Sequence, residues 1–561
     1  MRHWPVALIL ILMPLWCVGL FGRWYWTPDE PREADIAWNM VHQQQKVVPE
    51  LAGAAFCEKP PATYWVSGAS MALFGKTPAA ARLPNLLWAI IAVLAIAWLA
   101  YACAGIPAAL TAGVATATCA LSYQVSVWLA SDALLMAGVS VALVGAFRGL
   151  KASPGRSKLA WYTLMHVGLA VGFLAKSLIA WVVPGLAVVT FIVWERRWRE
   201  MLRWELYAGL LLQVALIGPW IMAVAVQPEG RLYMKIFFWD NLAGRFFPVE
   251  SEAMYLEGHR NSLFKYLFEF PCYVLPWTFL LIAAAYRGWR GVQDMTVDRT
   301  AWRWCGCMVI PSFVLLSLSN TGRGIYCAPL LPGCAVAMGL WAARHVADPD
   351  RFERGCLWLT GGLVAGVGLG IGPAILVFAG LTEQPLSLAV LSTVILGGLA
   401  AGALGIKAVW QQRRGAHAAA LITLVLVVNV VVVVAWRGVA PIIDQWQNLS
   451  PTITRVAAVA EQRPVALWRP DETIIANLDY LAELRLESIY SARKLYKKVQ
   501  AEPRVLILAR IIKPADEIEL VEMGFVVVER LSIPYGRDYA LFAAGPSMPL
   551  SIPARPLRIN P

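Results

Sequence analysis

The sequence predicts a polytopic α-helical membrane protein of about 13 spans with a small α/β domain outside the membrane, and three observations predict it. Of the 561 residues, 59% are hydrophobic and only 15% charged, where a soluble protein carries roughly a quarter charged residues. Apolar runs of the roughly 17 to 25 residues that cross a bilayer recur along the chain. From about residue 440 the hydropathy falls, and short β-rich runs alternate with helical ones.

The opening "MRHWPVALILILMPLWCVGLFG" reads as an uncleaved first span, because no small-x-small cleavage site follows it. The spans are expected at 5–21, 81–104, 106–126, 132–149, 160–177, 178–195, 205–227, 265–286, 303–320, 325–343, 356–380, 386–408 and 417–438. With the N-terminus inside, the inward loops contain Arg148, Lys151, Arg156 and Lys158, then Arg196, Arg197, Arg199 and Arg203. Arg287, Arg290 and Arg299 follow, then Arg344, Arg351 and Arg354, then Lys407, Arg413 and Arg414. Every inward loop is basic, as the positive-inside rule requires. The net charge of +12 is thereby explained without a nucleic-acid partner.

This topology places the loops 22–80 and 228–264 outside and divides the chain into a membrane domain, 1–440, and an external α/β domain, 441–561. In the tail, "PVALWRP", "RVLILAR" and "FVVVERL" read as strands, while "SARKLYKKVQAE" and "ADEIELVEMG" read as helices. The last segment, "PSMPLSIPARPLRINP", is too rich in proline for regular structure. The ten cysteines show no disulfide framework; Cys305 and Cys307 sit in an apolar run, where packing is the default role.

The remaining polar residues gather on the outer side. "TPDEPREADIAWNM" brings Asp29, Glu30, Arg32, Glu33 and Asp35, and "FCEKPPATYW" brings Glu58 and Lys59. Short turns bring Asp132, Lys176, Arg323 and Tyr326, and the second long loop brings Asp240, Arg245, His259 and Arg260. Ionisable groups at membrane depth are costly and line a cavity or a site. Each also has an ordinary reading. Asp29, Glu30 and Asp132 suit helix N-termini, and Lys176 suits snorkelling to the headgroups. Glu58 and Lys59 are harder to treat so, because Pro60 and Pro61 fix the backbone just after them.

These residues resemble a family. "DEPREADIAWNM", "VVPELAGAAFCEKPPATYW" and "LFGKTPAAARLP" are similar to the first external loop of the bacterial aminoarabinose transferases, within the GT-C class that also includes the protein O-mannosyltransferases. "GFLAKS" with Lys176 and "IYCAPLLP" with Tyr326 extend the resemblance through most of the first 340 residues. The chain departs from the family pattern at Glu33, at Asp35, and at Gly322 beside Arg323.

The resemblance implies a membrane glycosyltransferase of the bacterial inner membrane, N-terminus cytoplasmic and C-terminus periplasmic. It implies an undecaprenyl-phosphate-linked sugar as donor and lipid A, or another external glycan or protein, as acceptor, with inversion at the sugar. Asp29, Glu30 and Asp132 are the implied catalytic residues. Arg32, Lys59, Lys176, Arg245, Arg323 and Tyr326 are implied to hold the donor phosphate, and Glu58 with His259 a divalent metal such as Zn²⁺. A protein- or glycan-directed transferase of the same class and a lipid-linked-sugar transporter remain open at this level, although no inverted repeat of the transporter kind is visible.

Overall fold

The computed structural model describes residues 3–42, 46–241, 262–293, 299–383, 385–531 and 538–546. Each of the thirteen expected spans falls on helix. The helices of the membrane region are α1 (Trp4–Leu20), α2 (Asp29–His42), α3 (Ala62–Phe74), α4 (Pro78–Thr118), α5 (Ala120–Val127), α6 (Asp132–Lys151), α7 (Arg156–Lys176) and α8 (Ile179–Trp194). They continue as α9 (Trp204–Tyr207), α10 (Leu210–Ala225), α11 (Gly230–Met234), α12 (Lys265–Tyr273), α13 (Thr278–Gln293), α14 (Arg299–Ser317), α15 (Leu331–His345), α16 (Arg351–Leu381), α17 (Leu388–Arg413) and α18 (His417–Trp446).

The count of crossings is coarser than the sequence expectation. Among the described residues eight helical stretches are long and apolar enough to cross a membrane, or nine if α12 and α13 form one bent span. Three physical features account for four of the five crossings in the difference; the fifth, the expected span 303–320 on α14, is a helix that is not among the eight. The expected spans 81–104 and 106–126 share the 41-residue helix α4, broken where Ala104 leaves helical geometry and Gly105 adopts φ +75°, a conformation natural only to glycine. At Pro276 the α12–α13 pair bends by 109°, since proline cannot donate the next helical hydrogen bond. Helices α1 and α8 are apolar but only 17 and 16 residues long.

Helix α6 is the centre of the bundle, buried along nearly its whole length. It approaches α7 so closely that a Cβ on Gly145 would lie 2.4 Å from the Met165 amide nitrogen, and one on Gly138 would lie 2.7 Å from the Gly168 carbonyl oxygen. Small residues permit such backbone contact between membrane helices. The basic ends of the helices meet at the end of the bundle remote from Asp132. Lys158 pairs with Glu200, Arg303 with Glu195 and Arg287 with Glu353, while Arg148 lies over the rings of Trp98 and Trp161.

Helix α18 runs unbroken past residue 440 to Trp446. It leads to α19 (Ser450–Ala460), α20 (Glu472–Ala482), α21 (Ala492–Ala501) and α22 (Pro514–Glu522), interleaved with the strands of a sheet. A short hairpin, β1 (Glu50–Leu51) and β2 (Ala54–Ala55), lies in the first loop; the tail strands are β3 (Val465–Trp468), β4 (Glu487–Ile489), β5 (Leu506–Ile511), β6 (Phe525–Leu531) and β7 (Asp538–Ala544). Their order is β4-β3-β5-β7-β6, with β3 parallel to β4 and β5, and β7 antiparallel to β5 and β6. Ala466, Trp468 and Ile507 pack into one apolar core and Val465, Leu467 and Leu508 into another on the opposite face. Cover on both faces explains why these strands are continuously apolar rather than alternating.

The tail packs directly on the first long loop, 22–80. Ala476 and Tyr480 of α20 share a core with Tyr25, Ala34, Ile36 and Met40, and the hydroxyls of Tyr480 and Tyr25 lie 3.0 Å apart. Gly145→Val is expected to lower the thermal midpoint of the detergent-purified protein by an amount equivalent to about 1–3 kcal/mol of overpacking. Gly185→Ala, where a Cβ meets nothing within 4 Å, should leave the midpoint in place.

Candidate active site

The site begins with an anchor. Helix α2 starts at Asp29, and the next residue, Glu30, is fully buried. Its carboxylate accepts hydrogen bonds from Arg23 at 2.5 and 2.9 Å and from Arg82 at 2.8 Å through each oxygen. The amides of Trp26 and Leu129 also donate to it. Burial alone would raise this carboxyl, but the Arg82 and Arg23 guanidiniums outweigh it and hold it at about 2. Glu30 was expected at the catalytic centre with Asp29, and the structure corrects that. It does not line the cavity, because consecutive helical residues point in different directions and this one is enclosed by two arginines. Arg82 belongs to the "ARLP" element, which the anchor now explains.

Next to the anchor opens a cavity of about 520 Å³ whose wall includes Asp29, Arg32, Glu58, Lys59, Asp132, Lys176, Arg323 and Tyr326. Five separate parts of the chain deliver them. Asp29 and Arg32 come from the first turn of α2, and Asp132 from the first residue of α6. Lys176 ends α7, and Arg323 precedes the short 3₁₀ turn Gly324–Leu330 that carries Tyr326. Glu58 and Lys59 lie just before α3, where Pro61 sits at the helix N-cap. Carboxylates at helix N-termini and a lysine at a C-terminus each suit the helix dipole. The apolar part of the wall includes Leu121, Leu178, Ile179 and Val182.

The cations of the wall are matched by carboxylates. Arg32 reaches Asp29 at 3.2 Å, Glu33 at 2.9 Å and Glu472 at 2.5 Å. Lys59 reaches Glu33 at 2.6 Å, and Arg323 reaches Asp29 at 3.1 Å. Lys176 pairs with Asp132 at 2.5 Å and lies 5.2 Å from the centre of the Tyr326 ring. Asp29 thus bridges two guanidiniums. Glu33 is buried, and Lys59 and Arg32 overcome the cost of that burial to hold it at about 2. Glu58 is the exception. Desolvation pushes it up to about 8, against the pull of Arg32 and Lys59.

Sequence reasoning missed Glu472 entirely. It lies on the first turn of α20 in the tail, more than 400 residues from Arg32 in sequence, and its only local signal is the Asp471 N-cap beside it. The same helix supplies Asp479, which Asn39 links to Asp35 through hydrogen bonds of 2.9 and 3.2 Å. Arg245, Arg260 and His259 lie outside the described residues. Among the described residues no three His, Cys, Asp or Glu side chains converge to hold a metal ion.

With this geometry in view, the likenesses to known proteins are informative. A family model described as dolichyl-phosphate-mannose-protein mannosyltransferase matches residues 58–222. The undecaprenyl phosphate-alpha-4-amino-4-deoxy-L-arabinose arabinosyl transferase of Edwardsiella ictaluri is 29% identical over 417 residues, 73% of this chain and 72% of that protein. The protein of the same name from Serratia proteamaculans is 28% identical over 347 residues, 61% of this chain and 60% of its own length. The crystal structure of ArnT from Cupriavidus metallidurans bound to undecaprenyl phosphate matches with a TM-score of 0.73 and 20% identity, over 97% of this chain and 99% of that one. At 20% identity the likeness to ArnT shows a shared fold, a polytopic helical bundle with a polar cavity at its end. The chain is similar in sequence to the arabinosyl transferases over most of its length.

Removing the anchor should unfold rather than merely inactivate. Glu30→Ala leaves two buried guanidiniums unpaired and is expected to cost about 3–5 kcal/mol, read as a lowered thermal midpoint and reduced yield of folded protein. The pH dependence follows from the same group. A carboxyl held at about 2 when folded and near 4.5 when unfolded stabilises fully above pH 4.5. It loses on the order of 3 kcal/mol as pH falls from there towards 2. Thermal midpoints measured across that window should fall steeply in the wild type and less so in Glu30→Gln.

Proposed function

We propose that the protein is a glycosyltransferase that moves a sugar from an undecaprenyl-phosphate-linked donor to an acceptor outside the cytoplasm, such as lipid A. The observation that carries the reading is the meeting of Asp29, Arg32, Glu58, Lys59, Asp132, Lys176 and Arg323 around one cavity that is charged on one part of its wall and apolar on another. Such a chamber suits a lipid whose head is an anionic phosphate and whose tail is hydrocarbon. The names of the relatives support 4-amino-4-deoxy-L-arabinose as the sugar. The match to ArnT bound to undecaprenyl phosphate supports the carrier.

The chemistry follows from charge. The bond between the sugar's anomeric carbon and the phosphate oxygen breaks, the acceptor oxygen bonds to that carbon from the opposite face, and the acceptor's proton leaves. The departing lipid phosphate gains negative charge as this happens. Preorganised cations aimed at developing charge are the strongest term available to such a site, and Lys59, Arg32, Arg323 and Lys176 supply them, with Tyr326 holding Lys176 in place. Arginine suits paired contact with phosphate oxygens and lysine acts as a point charge. As the donor phosphate draws Arg323 and Arg32 to itself, Asp29 is released to orient the acceptor and take its proton. Asp132 keeps Lys176 at the wall. Arg245 and His259 remain assigned to the phosphate and to a metal. A divalent ion such as Zn²⁺ would draw one oxygen ligand from Glu58 and its other ligands from outside the described residues.

The same reading places the protein in the bacterial inner membrane, with thirteen crossings, a cytoplasmic N-terminus and a periplasmic C-terminus. It divides the chain into a membrane domain, 1–440, and a periplasmic α/β domain, 441–561.

Purified protein in liposomes, supplied with undecaprenyl-phosphate-linked aminoarabinose and lipid A, should yield a modified lipid A visible by mass spectrometry. Lys59→Ala and Asp29→Asn should each lower kcat by roughly 10²–10³-fold, and in Asp29→Asn the thermal midpoint should stay within a few degrees of wild type. Movement of the donor across the bilayer without sugar transfer would reject the enzyme in favour of a transporter.

A further inference from the structure

Glu33 lies immediately behind the cavity wall. Its side chain is 1% exposed, compared with 22% for Asp29 and 28% for Glu472, the other carboxylates that touch Arg32. One of its oxygens accepts from Lys59 at 2.6 Å and from Arg32 at 2.9 Å through Nη2 and 3.3 Å through Nε. Among the described residues it is the carboxylate hydrogen-bonded by both cations, and it is shielded from the water into which it could swing aside. Asp29, by contrast, is partly open and bridges to a second arginine across the cavity. An incoming phosphate can take the place of Asp29 but not of Glu33.

Among the described residues each of the four cations Arg32, Lys59, Lys176 and Arg323 contacts at least one of the four carboxylates Asp29, Glu33, Asp132 and Glu472, and Asp240 and Glu58 also line the cavity. The reaction does not conserve charge on the phosphate. A sugar–phosphate–lipid diester carries one negative charge, and the lipid phosphate left after transfer gains up to one more. A site with a surplus of positive charge would hold that product hardest, and release would limit turnover.

We infer that Glu33 is a positioning residue and a permanent counter-charge: it aims Lys59 and Arg32 at a lipid-linked phosphate while keeping the cavity neutral enough to let the phosphate monoester go. The inference rests on the donor proposed above. The interaction is strong because both cations lie within hydrogen-bonding distance of a carboxylate shielded from solvent, where Coulomb forces are weakly screened.

Two variants test it. Glu33→Gln keeps the shape and removes the charge; Glu33→Asp keeps the charge and shortens the reach. Binding of undecaprenyl phosphate to the full-length protein in detergent, followed by tryptophan fluorescence, should tighten about tenfold in Glu33→Gln. Its KM for the donor and its kcat should both fall, because a product held more tightly leaves more slowly. Glu33→Asp should return all three values towards wild type. Unchanged binding and kinetics in Glu33→Gln overturns the inference, and so does equal loss of thermal stability and activity in both variants, which makes the role purely structural. If wild-type protein fails to bind undecaprenyl phosphate at all, the donor assignment falls and this inference falls with it. If wild type binds and Glu33→Gln does not differ, the inference alone fails.

Discussion

Two guanidiniums closed on one buried carboxylate hold this structure together at its functional end. Arg23 follows α1, Glu30 lies in the first turn of α2, and Arg82 lies in the first turns of α4. Their pairing joins the first membrane helix, the loop helix α2 and the long fourth helix at a single point. Burying three charges is costly, and the geometry answers that cost with hydrogen bonds to both oxygens from side chains and backbone. Trp26, Trp128 and Trp436 stack on Arg23, each 4.7 to 5.4 Å from its guanidinium carbon, which covers the cation with aromatic faces rather than water. Asp29, one residue before this knot, is consequently placed with little freedom.

A second constraint comes from the tail. Helix α20 lies on α2, so the tail forms part of the wall's support. Glu472 holds Arg32, Asp479 meets Asn39, and Tyr480 packs on Tyr25. At the end of α18, Asp444 accepts from the backbone amide of Trp24 and from the indole of Trp26. Burial chiefly raises Asp35, and its neighbour Asp479 adds to this, so the contact between loop and tail includes a carboxyl that resists ionisation. A chain end that looks like an appendage by composition is thus built into the site.

Much of the fold was legible because hydrophobic period and length carry it locally. All thirteen expected spans lie on helices, since an apolar run of that length leaves the backbone no other way to satisfy its hydrogen bonds in lipid. The break at Gly105 falls where the sequence divides two spans, but the bend between α12 and α13 was not legible, because it is decided by how neighbouring helices pack. At the site, Asp29, Arg32, Glu58, Lys59, Asp132, Lys176, Arg323 and Tyr326 were all named from sequence and all line the cavity. Glu30 was misplaced: the pair Asp29–Glu30 looks uniform in one dimension, while the helix turns the two carboxylates to different surroundings.

The sequence by itself determined which residues must escape lipid. Its apolar runs assign the helices, its basic loops are expected to set one side, and the remaining acids and bases must then collect on the other. Tertiary structure decided how those groups pair. Ion pairs form across distances in the chain that leave no periodic trace, as between Arg32 and Glu472 or Asp29 and Arg323. Whether a given carboxylate is a buried anchor, a fixed counter-charge or a partly open group at a cavity wall depends on its burial and its neighbours, and those exist only once the chain has folded.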